Sequence, residues 1–288
     1  MELHDLIAKK FVMRKDVKAI QRADGTYNPD RSKWTRQDFR DHVAGTKTFG
    51  HYICDEESRV KLFVFDIDLR TGLDKNGNVS GECSWVEFPD LSDPMAFNYP
   101  GADEAFAKAT IVHPSTPRRD WHDRKHPGRS WYKLQLRTMA ETLTQAIKKE
   151  LDIPTLVAYS GNKGLHVYGF TGEMNAEDAR AGAIIALDAA GEAISSDGEF
   201  VPTKGNHFYQ YSSDDPVRGY RNLEIEVFPK QTTMDGKDLG NLVRLPLGRN
   251  LKNPKDPCFF IDQRVALNQL VPHPNPIELL DGSRSAYA

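Results

Sequence analysis

Cysteine is scarce in this chain. Cys54, Cys83 and Cys258 stand far apart and none belongs to a CxxC pair, so neither a disulfide framework nor a zinc knuckle is expected. Long apolar runs are missing too. No stretch reaches the roughly 18 apolar residues of a membrane span, and Met1 to Phe11 mixes charges where a signal peptide carries an apolar stretch. A cytosolic protein with no membrane partner is expected. Nor is there an excess of positive charge: at net −3 the average field weakly repels phosphate, so any hold on a polyanion has to come from local basic surface or bound cations. What the chain does have is 39% hydrophobic residues over a length of 288. That is enough for one large core or two joined ones, and it excludes disorder throughout.

The first fifty residues are polar and turn-rich, with Asp24-Gly25 and Asn28-Pro29-Asp30 as turn signals. They read as a small N-terminal α/β module over residues 1–59. Val60 to Asp68 (VKLFVFDID) is nearly continuous in apolar character and predicts a buried central strand ending in acid. From about 71 to 128 the pattern gives way to Gly, Pro, Asp and Ser, a long insertion with one short helix expected at Ala102 to Thr110. Trp131 to Leu151 carries apolar residues at helical spacing. Two short strands, Leu156 to Tyr159 and Leu165 to Phe170, flank a glycine-bearing hairpin; Asn175 can cap an alanine-rich helix to about Ile194; Leu223 to Phe228 alternates as a strand that Pro229 stops.

From Val60 onward the order is strand, helix, two strands, helix, strand. That is the βαββαβ pattern of an α+β, RRM/ferredoxin-like sheet, expected over 60–252, whose helices cover one face and leave the other for a ligand. Leu242 to Leu247 predicts a further strand, and 253–288 a C-terminal tail, Pro-rich from Val271, laid on the surface or disordered.

Asp66 and Asp68 stand two apart on the strand, so both carboxylates leave one face and can hold a divalent cation between them. Alternatively they cap a turn or pair with Arg70 and Lys61. Glu224 and Glu226 repeat the spacing on the later strand, and either could complete a three-carboxylate site for two Mg2+ or Mn2+ ions; Leu223, Ile225 and Val227 occupy the other face and do not choose between them. Ser160-Gly161-Asn162-Lys163-Gly164-Leu165-His166 brings bare amides, a hydroxyl, an ammonium and an imidazole together, all suited to phosphate oxygens, without Walker spacing. Arg244, followed by Arg249 and Lys252, makes a second basic cluster. Between Arg118 and Arg137 lie seven cations against two acids, with Trp121, Trp131 and Tyr132 interleaved, a composition suited to a strand of nucleic acid.

Taken in series, Phe65-Asp66-Ile67-Asp68, then Ser160 to His166, then Glu226-Val227-Phe228-Pro229-Lys230-Gln231 resemble the three motifs of the archaeo-eukaryotic primase superfamily. The hairpin is similar to that of the polymerase domains of bacterial end-joining ligases. EVFPKQ followed by an Arg-Leu-Pro strand is similar to primase-polymerases of phages, mobile elements and CRISPR-linked systems, the preferred match, with weaker likeness upstream at Arg14 to Val17 and His42 to Tyr52. Asn250 departs from it, standing where relatives often carry histidine. The resemblance implies that Asp66, Asp68 and Glu226 hold two Mg2+ or Mn2+ ions and are catalytic. It also implies a nucleotide-binding set of Ser160, Lys163, Gly164, His166, Lys230 and Arg244. Arg118, Arg119, Arg129 and Lys252 are the candidate strand contacts.

The expectation is therefore a template-dependent DNA primase-polymerase. Its partners would be nucleoside triphosphates, a DNA template and primer, and a separate helicase or replication protein, in the cytoplasm of a bacterium or phage-infected cell. Two readings compete. A haloacid-dehalogenase-like phosphatase also begins with DxD after an apolar strand, but it expects threonine where Arg70 stands, with Asp214-Asp215 imitating its later acidic motif. A degenerate nucleotide- or nucleic-acid-binding module is the other, although a pure binder gains nothing from three acids beside phosphate.

Overall fold

The computed structural model describes residues 1–78, 84–87, 110–114, 116–126, 128–214 and 220–282, with the backbone alone at 84–87 and 110–114. Helix α1 (Leu3–Phe11) turns Leu6, Ile7 and Phe11 inward. Strands β1 (Lys18–Gln21) and β2 (Tyr27–Asp30) pair as a hairpin. Helix α2 (Arg36–Val43) starts on a capping box in which the Thr35 hydroxyl accepts from the Asp38 amide and the Asp38 carboxylate accepts from the Thr35 amide. There follow β3 (Phe49–Tyr52), β4 (Arg59–Val60), β5 (Phe63–Leu69), the pair β6 (Ser84–Glu87) and β7 (Thr110–Pro114), α3 (Pro117–His122) and the long α4 (Arg129–Leu151). Strands β8 (Thr155–Tyr159), β9 (Gly164–Gly169) and β10 (Met174–Asn175) lead into α5 (Ala176–Ile194). The chain then runs through β11 (Glu199–Lys204), β12 (Phe208–Ser212), β13 (Leu223–Phe228), β14 (Leu242–Arg244), β15 (Phe259–Phe260) and α6 (Pro276–Asp281).

The architecture is mixed α+β with antiparallel sheets and six helices among the described residues. A seven-stranded sheet has the order β11-β12-β13-β5-β9-β8-β15, and a four-stranded sheet the order β14-β3-β1-β2. Strand alternation decides what each face of β5 does. Phe63, Phe65, Ile67 and Leu69 enter a core with Trp131, Leu134, Met139, Leu143 and Ile147 of α4 and the alanine face of α5. On the other face Val64 meets the N-terminal elements, in a second core with Phe11, Phe49, Tyr168 and Leu245. Asp66 and Asp68 follow on that face, just beyond its apolar cover.

Several expectations meet a different structure. The polar hairpin β11–β12 precedes β13 and extends the sheet. In the stretch expected to be a tail, β15 pairs with β8 as an edge strand, and α6 packs on α1 with Leu280 fully buried. The insertion carries β6, β7 and α3; the helix expected at Ala102 to Thr110 lies outside the described residues apart from Thr110, which opens β7. Asn175 stands at the N-cap of α5 but makes no side-chain cap. Arg137, Trp131 and Tyr132 of the basic-aromatic stretch belong to the interior. Arg137 is 1% exposed, donating to the Gln269 carbonyl at 2.8 Å and pairing with Glu141.

Two buried imidazoles make the fold sensitive to acid. Burial pushes His42 down to about 4; its Nδ1 accepts from the Phe49 amide at 3.1 Å, so Nε2 carries the proton toward the Pro246 carbonyl. His51 is pushed down to about 3 by burial, and neither of its nitrogens finds a partner. In the unfolded chain both rings protonate near pH 6.5. Their contribution is thus complete above pH 6.5 and falls as the pH drops toward the folded values, by roughly 1.4 kcal/mol per pH unit per ring. Urea unfolding between pH 7.5 and 4.5 should therefore show a steep loss of stability that His51→Leu makes shallower by about one proton's worth. An unchanged slope in that variant would refute the assignment.

Candidate functional site

Backbone register assembles the site. Asp66 lies directly opposite Glu226 on one neighbouring strand and His166 on the other; Asp68 lies opposite Glu224 and Gly164. Directly opposed residues of antiparallel strands share a face, with Cβ atoms about 4.5–5.5 Å apart. The row continues to Phe208 beyond Glu226 and to Ala158 beyond His166. Two acids of β5, a third from the distant β13 and the hairpin histidine thus occupy one patch. Glu224 lies on the same face, so the choice between the two glutamates rests on register: Glu226 faces Asp66, and Glu224 faces Asp68.

Each acid of the patch has a basic neighbour. Lys163 Nζ donates to Asp68 Oδ2 at 2.5 Å and to the Leu69 carbonyl at 2.8 Å. Lys230 pairs with Glu226 four residues earlier and lies over the Phe228 and Phe208 rings. His166 Nε2 is 3.3 Å from Asp66 Oδ1, while its Nδ1 is 2.9 Å from the Tyr168 hydroxyl. Burial pushes the Tyr168 phenol up, so it keeps its proton where it stands beside Nδ1. The other ring nitrogen, Nε2, faces Asp66.

Crowding like charges splits their titration. Burial raises the Asp66 carboxyl, but the charges of His166, Lys163 and Arg244 outweigh it and hold this acid below its usual range. Asp68 is pushed up by burial and by the Asp66 charge, against the pull of Lys163. Glu226 is pushed up by burial, against Lys230. Asp66 Oδ1 and Glu226 Oε1 are shut off from solvent without an aligned hydrogen bond, balanced by neighbouring charge alone.

The hairpin is anchored from below. Its hub is the Ser160 carbonyl, which accepts from the Arg244 guanidinium, from Cys258 Sγ at 3.3 Å and from Asn250 Nδ2 at 3.5 Å. Arg244 sits on β14 of the smaller sheet, so this contact joins the two sheets beside the acids. Asn250 also accepts from Gln21 Nε2 at 3.3 Å, tying in β1. Gly164 is required for closeness: a Cβ there would lie 2.2 Å from Asp68 Oδ1 and 2.3 Å from the Ile67 carbonyl.

The candidate strand contacts divide. Arg129 lies 4.9 Å over the Trp121 ring and lines a groove beside the hairpin. Arg118 and Arg119 are exposed on α3, with Arg119 3.5 Å from Asp120, and Lys252 lays its stem across Gly25; none of these three lines that groove. Asp214 donates its amide to Asp197 at 2.9 Å, and Asp215 lies outside the described residues.

By type, Asp66, Asp68 and Glu226 are hard oxygen donors of the kind Mg2+ and Mn2+ take, and two of their oxygens are buried without a hydrogen bond. Their ligand oxygens do not close on one another as they stand. Among the described residues the one trio within 4.8 Å is Glu2, His4 and Asp5, whose acids already pair with Arg36. The sheet acids lean instead toward their ammonium partners, Asp68 to Lys163 and Glu226 to Lys230.

Three contributors escaped the sequence reading. Tyr168, two residues after His166 and so on its face of β9, was discoverable from strand period. Phe208 was hidden in a hairpin that was not expected. Arg180 of α5 donates to the Pro229 carbonyl at 2.6 Å and the Val227 carbonyl at 3.3 Å, fixing the turn that returns Lys230 to Glu226; its signal was a lone cation on an alanine face. No family model and no curated protein matches this chain.

Proposed function

We propose that the protein is a template-dependent DNA primase-polymerase that transfers nucleotides from NTP or dNTP to a strand 3′-hydroxyl. The observation that carries this reading is the register placing Asp66 between Glu226 and His166, with Lys163 on Asp68. Acids to one side and phosphate-binding donors to the other are what nucleotidyl transfer asks of a surface. The four strands β13-β5-β9-β8, in that spatial order and joined through α4 and α5, support assigning the centre of the large sheet to the ferredoxin-like class. The residues of the primase superfamily resemblance belong to β5, β9 and β13 and to the turns after β8 and β13.

Two Mg2+ or Mn2+ ions held by Asp66, Asp68 and Glu226 would activate the 3′-hydroxyl and stabilise the departing pyrophosphate. The chain's own residues do the rest. Lys163 exchanges Asp68 for a phosphate oxygen, giving a charge-assisted hydrogen bond. His166 presents Nε2 toward the same region, oriented by Tyr168. Arg244 holds the hairpin through the Ser160 carbonyl, and Lys230 keeps positive potential beside Glu226.

The test is incubation with Mn2+ or Mg2+, labelled triphosphates and a single-stranded template, with and without primer. A ladder of products supports the reading; phosphoester hydrolysis without incorporation, or metal-dependent nucleotide binding without turnover, would overturn it. Within the same assay Lys163→Ala is expected to raise the KM for triphosphate by about 10- to 100-fold, with a smaller change in kcat. An unaltered KM would remove Lys163 from the phosphate site.

A further inference from the structure

Beside the hairpin, between α3, the start of α4 and residues 253–259, runs a groove that the catalytic reading does not use. One part, of about 520 Å3, is walled by Trp121, Arg129, Lys133, Tyr159 and Phe259. A second part, of about 250 Å3, shares Trp121, Arg124, Arg129 and Asp256 with the first and adds His122 and Lys255. The two compartments adjoin along the surface through those four shared residues.

Its charge is unbalanced. Arg124, Arg129, Lys133 and Lys255 face one carboxylate, Asp256, which Arg124 already engages at 2.7 Å. Arg129 lies over the Trp121 ring, and neither its guanidinium nor the Lys133 ammonium forms an ion pair or hydrogen bond with another described side chain. Burial draws both cations below their usual range. Partly desolvated cations without a direct ion-pair partner favour an anion in their place. Phe259, Leu270 and Pro257 give the same groove an apolar wall, so the anion that fits carries an apolar, flat neighbour.

The groove is also coupled to the hairpin. Trp121 Nε1 donates to the Asn162 carbonyl at 2.6 Å, and the Tyr159 hydroxyl donates to the same oxygen at 3.0 Å. Asn162 is followed by Lys163, the residue paired with Asp68, so an occupant of the groove lies next to the acid patch.

We propose that this groove binds a single strand of nucleic acid, with backbone phosphates on Arg129 and Lys133 and a base and sugar against Phe259 and Leu270. Two joined compartments with cations along both suit successive phosphates of a strand better than one free nucleotide. The use of that strand in synthesis rests on the polymerase reading above; its binding does not.

Fluorescence anisotropy with a labelled oligothymidylate of about 12 nucleotides tests this. In about 0.1 M salt the Arg129→Ala/Lys133→Ala variant should bind at least about 10-fold more weakly, and the slope of log K against log salt should fall by about 1.4, for two lost contacts on a single strand. Lys149→Ala, on the exposed end of α4, should change neither. Thermal unfolding checks the double variant; should it fail to fold, Arg124→Ala on the exposed rim and Lys133→Gln carry the test, each expected to weaken binding and flatten the slope. Unchanged affinity and slope in the folded variants overturn the proposal. So does loss of labelled dTTP binding with strand binding intact, which would make the groove a free-nucleotide site. Primer extension by the unmodified protein, run in parallel, separates the two readings: extension with unaltered strand binding in the variants sinks the groove alone, and groove-dependent binding without extension sinks the polymerase alone.

Discussion

Asp66→Asn should abolish nucleotide incorporation, a loss of at least roughly a thousandfold or about 4 kcal/mol of transition-state stabilisation, while the protein still folds cooperatively. Asp66 is the central member of the cross-strand row, opposite Glu226 and His166 at once. Replacing it with asparagine keeps the volume and removes one of the charges that push Asp68 and Glu226 up. The variant also gives up the attraction of His166, Lys163 and Arg244 for the ionised Asp66, so relief at Asp68 and Glu226 works against a loss at Asp66 itself. Glu226→Gln should behave in the same way, and Glu224→Gln should retain most activity, because Glu226 is the glutamate that faces Asp66. Primer extension and thermal unfolding of the three variants measure this. Undiminished extension by Asp66→Asn would sink the catalytic assignment, and equal losses in the two glutamate variants would sink the choice of Glu226.

Gly164→Ala is expected to have the largest effect on stability, about 3 kcal/mol or more, and to damage the site as well. The added methyl would sit 2.2 Å from Asp68 Oδ1 and 2.3 Å from the Ile67 carbonyl. The second neighbour is backbone of the central strand, which cannot swing aside as a side chain would. Either β9 separates from β5 or Asp68 leaves its position, and both disturb the pairing with Lys163. Gly182→Ala is the control: it lies in α5, where a methyl would meet only Leu151 at 3.5 Å, and removing a helix-interior glycine should gain up to about 1 kcal/mol. Urea unfolding of both variants tests the contrast, and a Gly164→Ala protein as stable as the unmodified one would refute the steric account.

The strands that carry the acids were legible because their patterns are local. VFDID reads as buried strand turning to acid, and LEIEVF as alternation closed by Pro229. Which carboxylate faces which was not legible from the residues, since register depends on pairings between segments some 100 and 160 positions apart. The hairpin β11–β12 was missed because Glu199–Lys204 is mostly exposed and contains Pro202, which argues against a strand unless it lies at a sheet edge, as this one does. The two-residue β15 is too short to leave a periodic signal. The end helix α6 is a different case. Asn275, Pro276 and Glu278 stand at N-cap, first and third helical positions ahead of Leu279 and Leu280, and the Asn275 side chain accepts from the Glu278 amide; the signal was present, and the surrounding prolines obscured it. The basic-aromatic stretch from Arg118 to Arg137 mixed two environments, since Arg129 and Lys133 reach the groove while Trp131, Tyr132 and Arg137 point into the core.

The row from Phe208 to Ala158 crosses five neighbouring strands, so the distances between its members are multiples of the peptide ladder's own spacing. Loops elsewhere can lengthen, shorten or rearrange without altering that ruler. The same anchoring means the acid patch has no softening stage of its own: amide protons of Asp66 and Ile67, held between β13 and β9, should be released to solvent only when the whole sheet opens.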